Sequence, residues 1–168
     1  KNWNSVICAH LKDAAANIKG MYSKLLENYP AWLIDADKPL KFQPYEKMGN
    51  TSVIAETGCK VTIGSAETPE SVRGSDAVMA HLSEVAFWPH TRLKSPESLI
   101  RSVCGSVALL PDSVVVMEST ANGTGNYFHQ ECERAKRGES DKRFLFIPWF
   151  EIEMYSVPVE DYDALITS

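Results

Sequence analysis

The sequence predicts an α/β fold, a mainly parallel sheet flanked by helices, and three observations carry that expectation. An unbroken apolar run, Val114-Val115-Val116-Met117, stops at Glu118-Ser119-Thr120 and the turn-rich Ala121–Asn126, and an amphipathic segment, Tyr127–Arg137, follows at once. A second, nearly apolar run, Ala77–Leu82, stops at Ser83-Glu84. Runs of this kind alternate with segments of 3.6-residue period, the pattern of buried parallel strands joined by crossover helices. Open α/β sheets bind ligands where their strands end, so chemistry is expected at these two tips.

In chain order, Val6–Ala9 reads as a short buried strand. Leu11–Leu26 reads as a helix, with Leu11, Ala15, Ile18, Tyr22, Leu25 and Leu26 near a helical period and Asn28 and Pro30 to stop it. Asp35–Met48, with Pro39 and Pro44, reads as a loop or linker. Ser52–Ala55 and Lys60–Ile63 flank Glu56-Thr57-Gly58-Cys59 as a β-hairpin. Thr68–Asp76 is polar and turn-rich and carries Arg73-Gly74 ahead of the carboxylate strand, which places Arg73 near the opposite end of that strand from Glu84. Pro96–Leu110 holds a helix with Leu99, Val103 and Val107 on one face, and Pro111-Asp112 turns it into Val114–Met117, a strand expected to be buried. Phe144–Ile147 is a last strand, ended by Pro148.

A chain of 168 residues, 44% hydrophobic, is long enough to bury one full core, so residues 1–168 are expected to form a single domain. The formal charge of −5 excludes a protein coated by DNA over its whole surface, while leaving room for one that grips DNA with a few loops. Cys8, Cys59, Cys104 and Cys132 are widely separated with no C-x-x-C pair, the usage of buried free thiols in a reducing compartment. No apolar stretch approaches the ~20 residues of a membrane span.

Most conspicuous side chains have an ordinary structural reading. His81 sits inside an apolar strand and is expected to face the core or a helix; Trp88, Trp149 and Phe150 have apolar neighbours and are expected to pack inside rather than stack on bases. Lys136-Arg137 and Lys142-Arg143 form a modest basic cluster, the mark of a solvated helix end that also suits a DNA backbone. Gly123-Thr124-Gly125 joins strand to helix, but the third glycine of a dinucleotide fingerprint would fall at Phe128, so Gly123 is expected only to permit a tight turn.

The two strand tips have a chemical meaning together. Phosphoryl transfer to water needs a carboxylate to orient and polarise the nucleophile, and polar groups that sense the γ-phosphate. Arg73-Gly74, the strand ending in Ser83-Glu84-Val85-Ala86-Phe87-Trp88, then Glu118-Ser119-Thr120-Ala121-Asn122-Gly123, Phe128, and Phe146-Ile147-Pro148-Trp149-Phe150 occur in the order seen in the large terminase subunit of tailed bacteriophages, which this sequence resembles over roughly residues 5 to 155. That resemblance implies an additional-strand P-loop ATPase that uses ATP and Mg²⁺ to drive viral double-stranded DNA into a capsid. It implies a homo-oligomeric ring in the cytoplasm of an infected bacterium, partnered by the portal and the small terminase subunit, with no membrane.

By position, the resemblance makes Glu84 the catalytic glutamate of the Walker B motif and Ser119-Thr120 the coupling motif. With Asn122 these two would read the γ-phosphate. Arg73 matches an arginine that reaches a neighbouring subunit's nucleotide. Most of the family carries Asp where this chain has Ser83, a neutral hydroxyl that holds Mg²⁺ only through water. Glu118 is read either as a structural acid facing Arg73 or Lys60 or as part of coupling.

No G-x-x-x-x-G-K-[ST] occurs, and the sequence opens at Lys1 without Met. The chain is therefore expected to be a piece of a longer protein, lacking the phosphate loop on one side and a nuclease on the other. Two rivals remain from other classes. One is a non-catalytic nucleic-acid-binding or assembly module with a degenerate site. The other is a metal-dependent nuclease using Asp76, Glu84 and Glu118, which would need carboxylates converging on paired ions.

Overall fold

A computed structural model of the protein describes residues 3–30, 42–44, 49–54, 58–74, 76–92, 94–107 and 110–155. Six strands form one sheet: β1 (Ser5–Ala9), β2 (Phe42–Pro44), β3 (Thr51–Ile54), β4 (Lys60–Ser65), β5 (Met79–Leu82) and β6 (Val114–Met117), in spatial order β2-β3-β4-β1-β5-β6. From β4 to β6 all neighbours run parallel, while β3 and β2 continue the sheet antiparallel. The mainly parallel sheet expected from the sequence is present. Phe42–Pro44, expected to be loop, is a strand, and the rest of Asp35–Met48 lies outside the described residues. The β3–β4 hairpin is present, although Ala55, Glu56 and Thr57 of its turn are not described.

Alternation along β1 places it between two packed layers. Val6 and Cys8 face one side, where Ala80 and Leu82 of β5 meet Leu99, Ile100 and Val103 of α2 (Pro96–Cys104), together with Val72, Val85 and Trp88. Ala9, Val61 and Ile63 face the other, under Ala14, Ala15, Ile18 and Tyr22 of α1 (Lys12–Glu27). Burial fits the sequence of each helix start. Ser95 caps α2 by accepting from the Ser98 amide at 3.2 Å, with Pro96 in the first turn. Leu11 offers α1 no such cap; instead the Glu67 carboxylate accepts from the Lys12 amide at 2.8 Å. α2 ends six residues before the Leu110 expected from the sequence, at Cys104. Val107 leaves the helix face and bridges Ala77 instead.

The chain divides into two compact units, Lys1–Gln130 and Glu131–Ser168. α3 (Tyr127–Lys136) spans the division, and within the first unit Tyr127 and Phe128 pack on the core. In the second unit Lys136 pairs with Glu133 at 2.7 Å, Arg137 with Glu139 at 2.9 Å, and Lys142 with Asp141. The basic cluster is thus largely neutralised by its own neighbours.

Three expectations fail. Phe144–Ile147 is not a strand, since none of its residues enters a ladder among the described residues. Trp149 and Phe150 are not core: they are 68% and 62% exposed and stack edge-on against each other at 5.9 Å. β6 is not buried either. Val114, Val115 and Val116 are 43%, 38% and 41% exposed, because β6 is the last strand of the sheet and no described strand pairs with its outer edge.

Cys8 is fully buried, and burial pushes its thiol up to about 12 from 9.0. The three other thiols are half-buried, and none of the four is in a disulfide. Since the thiolate is the nucleophile, Cys8 in the folded chain is expected to resist iodoacetamide at pH 8 and to react only in denaturant, as read by peptide mass spectrometry. Labelling of Cys8 in the native protein at the rate of an unfolded peptide would contradict this packing. Because its pKa is raised by folding, Cys8 contributes full stability below pH 9 and loses it as pH rises toward 12.

Candidate nucleotide-hydrolysis site

The site is built at the tip of β5, which both neighbouring strands clamp through backbone bonds. The Ser83 amide donates to the Cys8 carbonyl of β1 at 2.8 Å, and the Glu118 amide beyond β6 donates to the Leu82 carbonyl at 3.0 Å. The Val85 amide in turn donates to the Glu118 carbonyl at 3.2 Å. Glu84 falls between these anchors and takes φ 55°, ψ 45°, the left-handed conformation. It is the one non-glycine residue with positive φ among the described residues. For a residue with a Cβ that geometry costs roughly 1–2 kcal/mol, so the clamp holds Glu84 where the sheet needs an abrupt turn.

The side chain is held as well. Glu84 Oε2 accepts from Ser119 Oγ at 3.2 Å, from the Thr120 amide at 3.3 Å and from Thr120 Oγ1 at 3.3 Å. Three donors on one carboxylate oxygen fix its direction, and Oε1 carries no hydrogen bond among the described residues. Ser119 Oγ also accepts from the Ala86 amide at 3.2 Å, and Asn122 Nδ2 donates to the Ala86 carbonyl at 3.0 Å. Trp88 closes the loop from below, its indole donating to the Ser83 carbonyl at 2.9 Å. Unlike Trp149, Trp88 is a core residue as expected. The turn after Thr120 passes through Gly123 (φ 69°) and Gly125 (φ 84°), a conformation that favours glycine. Asn126 Oδ1 then accepts from the His129 amide at the start of α3.

The structure therefore brings Ser83, Glu84, Ser119, Thr120 and Asn122 together. Arg73 stands elsewhere than expected. The loop after β4 folds back on itself: Gly64 allows the short 3₁₀ turn Pro69–Ser71 to press on the sheet, where any Cβ would fall within 3 Å of Ser71 Oγ and Val72 Cγ1. Arg73 consequently lines a pocket with Trp88 and Pro89, on the side where β5 ends rather than at its start. Arg73 is exposed, and its side chain has no hydrogen-bond or ion-pair partner among the described residues.

Glu118 faces neither Arg73 nor Lys60. It pairs with His81 Nε2 at 3.3 Å, across the β5–β6 ladder in which His81 lies opposite Val116. The two residues are set by strand register, which periodicity in either strand alone does not reveal. Asp76 lies at the far edge of the sheet, its carbonyl accepting from Asn4 just before β1. The carboxylates of a nuclease are thus not assembled around Glu84, and no group of three metal-ligating side chains occurs among the described residues.

The oxygen donors that are present, the Glu84 carboxylate and the Ser83 hydroxyl, suit a hydrated Mg²⁺ held chiefly by substrate phosphates rather than a dedicated cage. No described helix is long and apolar enough to cross a membrane.

No protein-family model matches the sequence, and no curated protein matches it. Solved structures do. The chain superposes on an arginine-to-alanine variant of the large terminase ATPase domain of Thermus phage P74-26 with a TM-score of 0.50 and 16% identity, over 77% of this chain and 52% of that one. A second structure of the same ATPase domain gives 0.49 and 16% over 74% and 50%. This chain spans about half the length of those neighbours. At 16% identity the likeness shows the fold alone, which this chain shares with a phage large-terminase ATPase domain.

Proposed function

We propose that this chain supplies the water-activating side of the nucleotide site in an ATP-driven motor that packages double-stranded DNA. One observation carries the reading: Glu84 stands at a strand tip in a strained conformation, with Oε2 engaged by Ser119 and Thr120 and Oε1 open. That leaves one carboxylate oxygen to accept a proton from attacking water while the other reports its position to β6. Ser119, Thr120 and Asn122 would couple the state of the γ-phosphate to the turn that leads into α3. Mg²⁺, when bound, neutralises phosphate charge, and Ser83 would hold it through water. No phosphate-loop motif occurs in these 168 residues, so in this reading they do not supply the lysine and backbone cradle for the β- and γ-phosphates. Double-stranded DNA, the portal, the small terminase subunit and a ring of identical subunits are the partners of this reading. A neutral Ser83 beside Glu84 favours the rival, an assembly module that no longer hydrolyses nucleotide.

Arg73, exposed and unpartnered among the described residues, is proposed to act on a nucleotide at a subunit boundary, where a guanidinium stabilises charge developing on the transferred group. Its place beside Trp88 removes the argument that it lies too far from its own Glu84, so the boundary role needs a direct test. Mixing full-length Arg73→Ala with full-length Glu84→Gln subunits is expected to restore part of the ATPase rate, because some boundaries then pair an intact arginine with an intact glutamate. No recovery in rings shown to be mixed would place Arg73 in its own subunit's site or in a structural role.

A further inference from the structure

We propose that Arg73 and Lys94 together form a binding site for a phosphate group, in the open pocket walled by Trp88 and Pro89 and rimmed by Ser95 and Ser98. The inference builds on the reading of Arg73 as a phosphate-facing cation and adds Lys94, which that reading does not use. Two basic side chains line this small pocket and no carboxylate does. The nearby Glu67 carboxylate accepts from the Lys12 amide, while the Glu67 carbonyl receives Lys94 Nζ at 2.7 Å; neither Lys94 nor Arg73 forms an ion pair among the described residues.

That carbonyl fixes the ammonium at the pocket rim while leaving two of its three donors free. Arg73 has no partner among the described residues, so its five-donor fork is available as well. In a chain whose net charge is −5, two cations that line one cavity with no ion-pair partner among the described residues suit a polyanionic oxygen cluster: a guanidinium fork engages two oxygens and an ammonium a third. The positive end of α2 adds potential of the same sign, opposed by Glu97 in its first turn. Trp88 and Pro89 supply an apolar wall against which the rest of a phosphate ester can lie. Two sources share this chemistry, the phosphates of a nucleotide and those of a nucleic-acid backbone.

The test is a titration of the isotope-labelled chain with inorganic phosphate at constant ionic strength, followed by amide resonances. Saturable shifts are expected at Arg73, Lys94, Ser95 and Ser98, and Lys94→Gln or Arg73→Gln should each weaken binding about tenfold, as expected for loss of one charge-assisted contact. ATP and a short duplex DNA are then added to the phosphate-loaded chain. Displacement by ATP alone assigns a nucleotide, and displacement by the duplex assigns a backbone phosphate. Shifts that never saturate, or unchanged affinity in both variants while their spectra remain folded, would overturn the site. No hydrolysis enters the measurement, so its failure leaves the reading of Glu84 intact, and failure of the Glu84 variant leaves this site intact.

Discussion

Replacing Glu84 by Gln in the full-length protein is expected to lower ATP turnover by roughly 10² to 10⁴ while leaving nucleotide affinity unchanged. The geometry makes this substitution unusually clean. All three donors around Glu84 converge on Oε2, and the carbonyl oxygen of a glutamine accepts the same three bonds. The amide nitrogen then occupies the place of Oε1, where the proton of an attacking water would go, and it cannot accept one. Shape, tether and the strained backbone are retained; the base is lost. Steady-state turnover and equilibrium nucleotide binding, measured on the same preparation, separate the two effects. Turnover within a few-fold of the unsubstituted protein would reduce Glu84 to a strand end held by its neighbours.

The second large effect concerns stability. Leu82 is fully buried, the largest such side chain in the molecule's described part, and it lies in the layer between β5 and α2 with Val6, Cys8, Ala80, Leu99 and Val103. Leu82→Ala is expected to cost about 2–5 kcal/mol, the transfer energy of the lost carbons plus that of a cavity the rigid strands cannot close. Against a total of about 5–15 kcal/mol for an ordinary domain, that is a large fraction. Urea unfolding followed by circular dichroism should show a much lower midpoint at unchanged slope. Leu82 also precedes the Ser83 and Glu118 anchors, so the same variant in the full-length protein should lose turnover along with stability. An unchanged midpoint would mean that the layer repacks freely and does not set the position of Glu84.

How much of this was readable from sequence depends on whether the determinant is local. Glu84 and Ser119-Thr120 were legible because each follows a short apolar run that stops abruptly, and a parallel sheet brings all such ends to one edge. The C-terminal end of α2 and the loop holding Arg73 were not. Whether Val107 continues a helix or bridges Ala77, and whether Thr68–Asp76 extends or folds back over Gly64, is decided by partners far along the chain. The pairing of His81 with Glu118 is likewise a property of the β5–β6 register. Apolar composition misled at Val114–Val116, Phe144–Ile147, Trp149 and Phe150, because hydrophobicity states a preference for burial without naming what does the burying.

The position of β6 has a practical corollary. Protein surfaces usually guard a sheet margin with lysine, proline or a bulge, and this one offers four apolar residues in a row and a ladder of N–H and C=O groups that no described strand pairs with. Such a margin is a template for any extended backbone that meets it. Handled by itself at high concentration, the chain is therefore prone to edge-to-edge aggregation, and its solubility is governed less by its core than by whatever covers those three valines.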